Sequence, residues 1–214
     1  MRKQRSDGQE TRDALMAAAI DEFTEKGFDG ASTRGICARA GVNNALMNRY
    51  YGTKENLYRL VAKRLFGDLG APLTKLADNV HNEKEWKAAI REWVDDFLYM
   101  TIPTASAQIR CAVLFRQEVT RPTKFHQEFR DEFGRPIFRA LKKLIAMALD
   151  DETEVMLWTS SVWSQVSAYA LADPVWLEDF RPKGMDNAEW SARVRDQLCD
   201  NLFHELKFRK RGGK

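Results

Sequence analysis

The chain has 214 residues and a mass of 24.7 kDa, with 44% hydrophobic and 30% charged residues, ample for a buried core in one large domain or two small ones. Its formal charge of +3 is unevenly placed: residues 1–66 carry twelve Lys/Arg against eight Asp/Glu, and residues 67–214 carry twenty-two against twenty-three. That split excludes a uniform polyanion-coating protein and implies a basic module joined to a near-neutral body. The longest apolar run, Ala14 to Ile20, is far short of the roughly 18 residues needed to span a bilayer, so no membrane partner is expected. No apolar stretch follows the basic Met1–Arg5 promptly enough for a signal peptide. Cys37, Cys111 and Cys199 are odd in number and far apart, giving neither a disulfide framework nor a metal-binding pair. The expectation is a reduced, cytoplasmic protein without metal or cofactor.

Strand signals are nearly absent, and Ala, Leu, Glu, Lys and Arg recur at helical spacing, so the fold class is all-α. A first helix is predicted at about residues 10–26 from the stripe Leu15, Ala18, Ala19 and Phe23. Gly27 ends it, with Phe28 folding back onto Phe23. Thr33 is the expected N-cap of a short helix carrying Ile36, Cys37 and Ala40, which Gly41 terminates. Asn43 caps a second short helix ending near Tyr51-Gly52, and Thr53 caps a longer third with Leu57, Leu60, Val61 and Leu65 on one face. Gly67, Gly70 and Pro72 weigh against its continuation. Further helices are predicted near 83–101, 105–119, 123–148, 151–172 and 187–208, with Pro136 starting or kinking a helix inside the third of these. The tail from Lys207 to Lys214 is basic and glycine-bearing, and a frayed end is expected.

Residues 33–52 carry the functional signal. Two short helices joined by Ala40-Gly41-Val42-Asn43 make the helix-turn-helix pattern, in which the second helix enters the DNA major groove. The competing reading is a purely structural αα corner. Favouring DNA, the module is basic, and Asn43, Asn44, Asn48, Arg49 and Tyr50 crowd a helix of barely two turns. Met47 and Tyr51, four apart, supply its inward seam.

From Thr11 to about Phe66 the chain resembles the DNA-binding domain of the TetR family of bacterial transcription regulators. The resemblance rests on Ala18–Phe28 with its Lys-Gly-Phe ending, on Ser32-Thr33, on Ile36 to Val42, and on Tyr50-Tyr51-Gly52-Thr53-Lys54-Glu55-Asn56-Leu57-Tyr58. In that last run Tyr50 and Tyr51 replace the family's usual His and Phe. Asn43 to Asn48 is similar to the recognition helix of the CecR-like branch, and Arg116-Gln117-Glu118 with Pro122-Thr123 resembles that branch's C-terminal domain. The resemblance implies an N-terminal three-helix DNA-binding domain (residues 1–52, basic arm included), a connecting helix (53–80), and a helical ligand-binding and dimerisation domain (81–214). Its candidate DNA-binding residues are Thr33, Asn43, Asn44, Ala45, Leu46, Asn48, Arg49, Tyr50 and Lys54. Thr33 and Lys54, at helix N-termini, and Tyr50 would hold phosphates. Asn44 and Asn48 would read base edges and Leu46 a thymine methyl. Arg49 stands where the family leans a Tyr inward and is expected to snorkel to the phosphate backbone, while an unstructured Arg2-Lys3-Arg5 arm adds phosphate or minor-groove contacts or simply stays solvated.

The six tryptophans all lie beyond residue 80, and aromatic residues at helical spacing are read first as core. A subset, Trp93, Phe97, Phe115 and Trp158, with Arg110, Gln117, Glu118, Gln165 and Tyr169, is the candidate lining of the effector pocket that the resemblance implies. The helices near 151–172 and 187–208 are the expected dimer surface, through the stripe Val155, Leu157, Trp158, Val162, Trp163, Val166, Tyr169 and Ala170, and through Leu198, Leu202, Phe203 and Leu206. The same stripes also suit the core of a single chain. His81, His126 and His204 are scattered and match no catalytic motif, so no catalytic residues and no enzymatic activity are expected. Cys111, beside Arg110, is the one candidate redox thiol. The reading is a homodimeric repressor, released from a pseudo-palindromic double-stranded DNA operator by a small-molecule effector. The alternatives are a helical binding or catalytic protein whose helix pair is only structural, and an activator of the same type.

Overall fold

The computed structural model describes residues 3–102, 106–172 and 178–209, with the side chains of 3–7, 68–72 and 106–108 left aside. Ten α-helices and no strand are found among these residues. Helix α1 (Lys3–Gly30) holds Leu15, Ala18, Ala19 and Phe23 inward and breaks at Gly27, whose φ of 71° is left-handed. The Phe28 ring then stacks on Phe23 at 6.3 Å, as the sequence predicts. The helix begins at Lys3 rather than near residue 10, so the arm expected to be unstructured is helical from Lys3 onward. Within the helix, the Arg12 carbonyl accepts from the Tyr51 hydroxyl at 2.8 Å.

Helices α2 (Thr33–Ala40) and α3 (Asn44–Tyr51) follow. The N-cap of α2 is Ser32, not Thr33, because Ser32 is the extended residue whose Oγ accepts from Gly35 N at 2.9 Å. Asn43 caps α3 as expected, its Oδ1 accepting from Leu46 N at 3.0 Å. Gly41, at φ 67°, makes the left-handed turn between them, where a side chain would strain the backbone.

Helix α4 (Lys54–Leu73) runs through Gly67, Gly70 and Pro72. Burial sustains it: Leu57, Tyr58, Val61, Phe66 and Leu73 all lie inside, and Phe66 meets the Phe129 and Phe133 rings at 4.9 and 5.6 Å. A 3₁₀ turn (Leu76–Asn79) leads to α5 (Glu83–Thr101), the central post of the second unit. There Trp86 and Trp93 are fully buried, their indole N–H groups donating to the Leu144 carbonyl at 2.8 Å and the Ile137 carbonyl at 3.2 Å.

Around α5 pack α6 (Ser106–Thr120), α8 (Arg135–Ile145), α9 (Glu152–Leu171) and α10 (Asn187–Glu205). The helix predicted over 123–148 is three pieces: α7 (His126–Phe129), a π-turn (Arg130–Gly134), and α8 with Pro136 in its first turn. Proline has no N–H to donate backward, so the widened turn falls just before it. The described part of the tail is docked rather than frayed. Arg209 N donates to the Met147 carbonyl at 3.0 Å, and its guanidinium pairs with Asp150 at 2.6 Å.

Candidate nucleic-acid interface and the unit behind it

Helix α3 is amphipathic at its own small scale. Met47 is only 1% exposed and forms the inward seam of α3, with Tyr51 beside it. On the other side Asn43, Asn44, Ala45, Asn48 and Arg49 are exposed, and Leu46 and Tyr50 are half-buried. One i, i+4 pair, Asn44 and Asn48, therefore presents two amides on one face. Asn43 spends its carbonyl on the cap, and Asn44 Oδ1 accepts from the Cys37 thiol at 3.4 Å, which orients that amide. The Tyr50 ring lies between two guanidinium groups, Arg12 at 4.9 Å and Arg49 at 6.0 Å from its centroid. Arg49 is exposed, with the Tyr50 ring beside it.

Thr33 starts α2 half-buried, and the first N–H groups of that helix have no intrahelical acceptor. Lys54 starts α4, but its ammonium turns inward, donating to the Ala31 carbonyl at 2.7 Å and sitting 4.5 Å from the Phe28 ring centroid. It therefore braces the module as well as standing at a helix N-terminus. Arg34, one residue into α2, is exposed with no ion pair among the described residues. Sequence reasoning passed over it, although a basic residue in the first turn of a helix-turn-helix was a readable signal. Arg39, by contrast, is committed to Glu25 through paired contacts of 2.8 and 2.6 Å. Glu22, 1% exposed, adds a brace by pairing with Lys26 at 2.8 Å and Arg39 at 3.5 Å.

Three contacts tie this module to α6. Arg110 pairs with Asp21 at 2.6 Å, Gln117 donates to the Thr24 carbonyl at 2.8 Å, and the Tyr58 hydroxyl donates to Glu118. Glu118, 1% exposed, also accepts from Thr123 Oγ1 at 2.7 Å. Burial first, and then the Glu118 hydrogen bond, push the Tyr58 phenol well above its ordinary range. Arg59 with Glu128 (2.6 Å) and Lys124 with Glu55 (3.2 Å) span the same joint at the surface.

The opposite face of α6 lines a cavity of about 290 Å³, shared with the end of α5, α9, Glu178, Arg181 and the start of α10. Ile102, Ile109, Ala112 and Val113 give it apolar walls, and Arg116, Tyr169 and Trp190 give it polar ones. Of the pocket residues expected from sequence, Tyr169 lies on this cavity, and Gln165 with Tyr169 lines a second groove between α9 and α10. Trp93 and Phe97 are packed inside, stacked at 5.2 Å. Phe115 abuts Phe97 and Phe129, and Trp158 packs against the core. Arg110, Gln117 and Glu118 face the DNA-binding module instead. The redox expectation for Cys111 is corrected. Its thiol is buried against the Leu65 carbonyl at 3.7 Å and pushed up to about 12 by burial, while Arg110 is engaged with Asp21.

Comparison with known proteins bears on both units. The family model for bacterial regulatory proteins of the tetR family matches residues 15–61. The model for the C-terminal domain of the HTH-type transcriptional dual regulator CecR matches residues 87–202, more than half of the chain. The chain is a TetR-family regulator of the CecR-like branch.

This TetR-family chain is 27% identical over 173 residues to the HTH-type transcriptional dual regulator CecR of Shigella flexneri, covering 77% of each protein. Over 82 residues it is 38% identical to the HTH-type transcriptional repressor Rv3405c of Mycobacterium tuberculosis, 38% of this chain and 40% of that protein. In shape the TetR-family fold here is similar to the fatty acid degradation regulator FadR from Bacillus halodurans, with TM-score 0.65 and 14% identity, covering 93% of this chain and 97% of that one. It is also similar to the transcriptional regulator FadR from Bacillus subtilis in complex with stearoyl-CoA, with TM-score 0.63 and 13% identity, covering 87% and 96%. Among the described residues, no helix of this regulator is long and apolar enough to cross a membrane.

Proposed function

We propose that the chain is a homodimeric, cytoplasmic repressor that grips a pseudo-palindromic operator and lets it go when a small molecule enters the α6 cavity. The observation that carries the DNA half is the exposed Asn44–Asn48 face of α3, backed by buried Met47, with Arg12 and Arg49 at the Tyr50 ring and Arg34 exposed in the first turn of α2. Asn44 and Asn48 read base edges and Leu46 meets a thymine methyl, while Thr33, Arg34, Tyr50 and the backbone N–H of Lys54 at the α4 N-terminus hold phosphates. One such helix covers too few base pairs for genomic selectivity, which is the argument for a two-fold dimer.

The dimer surface is assigned to α9 and α10, where Leu157 is 59% exposed among small polar neighbours and Leu198 is half-buried. Leu202, Phe203 and Leu206 drop out of that surface because they are buried within their own chain, Phe203 against Trp86 at 5.5 Å. The functional division remains residues 1–52 for DNA, 53–80 for connection and 81–214 for effector binding and dimerisation.

Helix α6 gives the two halves a common part. Ile109, Val113 and Arg116 face the cavity, and Arg110, Gln117 and Glu118 face α1 and α4. A ligand that shifts α6 would tilt the whole DNA-binding module and change the spacing between the two α3 helices. A coupling of about 1–3 kcal/mol yields a 5–150-fold response. Repression is the sense carried by the Mycobacterium tuberculosis relative's name.

The test is a fluorescence-anisotropy titration of operator duplex at several salt concentrations. Asn48→Ala should flatten preference at one base position. Arg34→Ala should weaken all duplexes alike and reduce the salt slope by about one. Unchanged affinity in both variants would remove this docking.

A further inference from the structure

We infer that the α6 cavity takes a small organic anion, its acid group held by Arg116 and the Trp190 indole N–H, its body against the apolar walls. The inference rests on the reading of this cavity as the effector site and names the chemistry of the effector. The walls offer hydrogen-bond donors with nothing to donate to. Trp190 Nε1 is buried without an acceptor among the described residues, whereas the buried indoles of Trp86 and Trp93 both reach backbone carbonyls. An orphaned buried donor is rare, and a ligand acceptor is a direct way to satisfy it.

Arg116 points the same way. It is half-buried on the cavity wall with no ion pair among the described residues. Two other arginines of this unit are paired, Arg110 with Asp21 and Arg195 with Asp95 and Asp196. The Tyr169 hydroxyl, on the same cavity, makes no hydrogen bond among the described residues either. Of the remaining charged lining, Arg181 is engaged with Asn187 and Glu178 is exposed to solvent. The wall therefore has a positive excess, and three of its residues carry donors without an acceptor among the described residues, beside apolar surface. A planar carboxylate matches a guanidinium in paired, charge-assisted hydrogen bonds, and an amine would meet only repulsion from it. The volume of about 290 Å³ is near the lower end of ligand cavities, about 300 Å³, which keeps the anion small.

Isothermal titration of the full-length protein with benzoate and octanoate, each against its neutral amide, tests this, with intrinsic tryptophan fluorescence as a second readout. The wild type should bind at least one acid about tenfold or more tighter than its amide, the scale of a charge-assisted hydrogen bond. Arg116→Gln should erase that preference while leaving amide binding in place, and Arg116→Lys should restore part of it. Circular dichroism checks the fold of both variants. Amides that bind as well as the acids, or a preference that survives Arg116→Gln, would overturn the anion assignment and leave the effector cavity standing. If neither acid nor amide binds, both the assignment and the effector-site reading fall.

Discussion

Tyr58→Phe removes one oxygen from the joint between α4 and α6, where the N-terminal module meets the second helical unit. The ring should stay, because it packs edge-on against Phe23 and Phe28 at 5.0 Å each. What is lost is a hydrogen bond to the buried Glu118 carboxylate, and bonds of that kind contribute about 1.5–3 kcal/mol. Glu118 retains Thr123 Oγ1 at 2.7 Å, so the loss should fall toward the lower end, about 2 kcal/mol. For a chain of this size each kcal/mol moves the melting temperature by about 2–4 °C, so a drop of about 4–8 °C is expected by calorimetry at neutral pH. The double variant with Thr123→Val strips the carboxylate of both hydroxyl partners, leaving the Thr123 N–H at 3.4 Å, and should cost more than the two single changes added. An unchanged melting temperature in Tyr58→Phe, with an additive double variant, would refute the claim that Glu118 pins α4 to α6.

Four further outcomes are expected. A Cβ at Gly35 would clash with the Glu22 carboxylate, so Gly35→Ala should evict that buried group and cost about 1–3 kcal/mol, read by thermal melting together with weaker operator binding. Glu25, Glu55 and Glu128 have pKa values lowered, Glu25 by Arg39, Glu55 by the α4 N-terminal backbone and Lys124, and Glu128 by Arg59. Their contribution is complete above the ordinary carboxylate value of about 4.3 and is lost as pH falls through the lowered folded values, so chemical denaturation midpoints should decline below that pH. Cys111 and Cys199 are buried, with thiols pushed up to about 12, so neutral-pH alkylation followed by mass spectrometry should label them only at the rate of unfolding. Leu157→Glu should shift sedimentation toward the monomer if α9 forms the dimer face.

The helix-turn-helix was legible because its determinants are local. Gly41 at a left-handed turn, Asn43 as a cap and Met47 as the inward seam each act within a few residues of themselves. Even there, Ser32 and Thr33 are adjacent hydroxyl residues, and sequence could not say which would take the extended cap conformation. The sensor was less legible for a physical reason. Trp93, Phe97 and Trp163 recur at helical spacing whether they fill a core or face a cavity, and only the crossing of α5, α6 and α9 decides between the two. Arg110 looked like a pocket residue because Asp21, its partner, is remote in sequence. Lys54 looked free for phosphate because the Ala31 carbonyl that holds it lies in another turn. Pro136 announced a break, but the π-turn before it depends on Phe129 and Phe133 packing around Phe66.

The central claim is that two copies of α3 read a two-fold DNA site. Selecting bound duplexes from a random pool with the full-length protein, wild type and Asn48→Ala in parallel, tests it most directly. A pseudo-palindromic consensus is predicted for the wild type, degraded at one symmetric pair of positions in the variant. A pool that stays random after selection, or a consensus identical in both proteins, would contradict it.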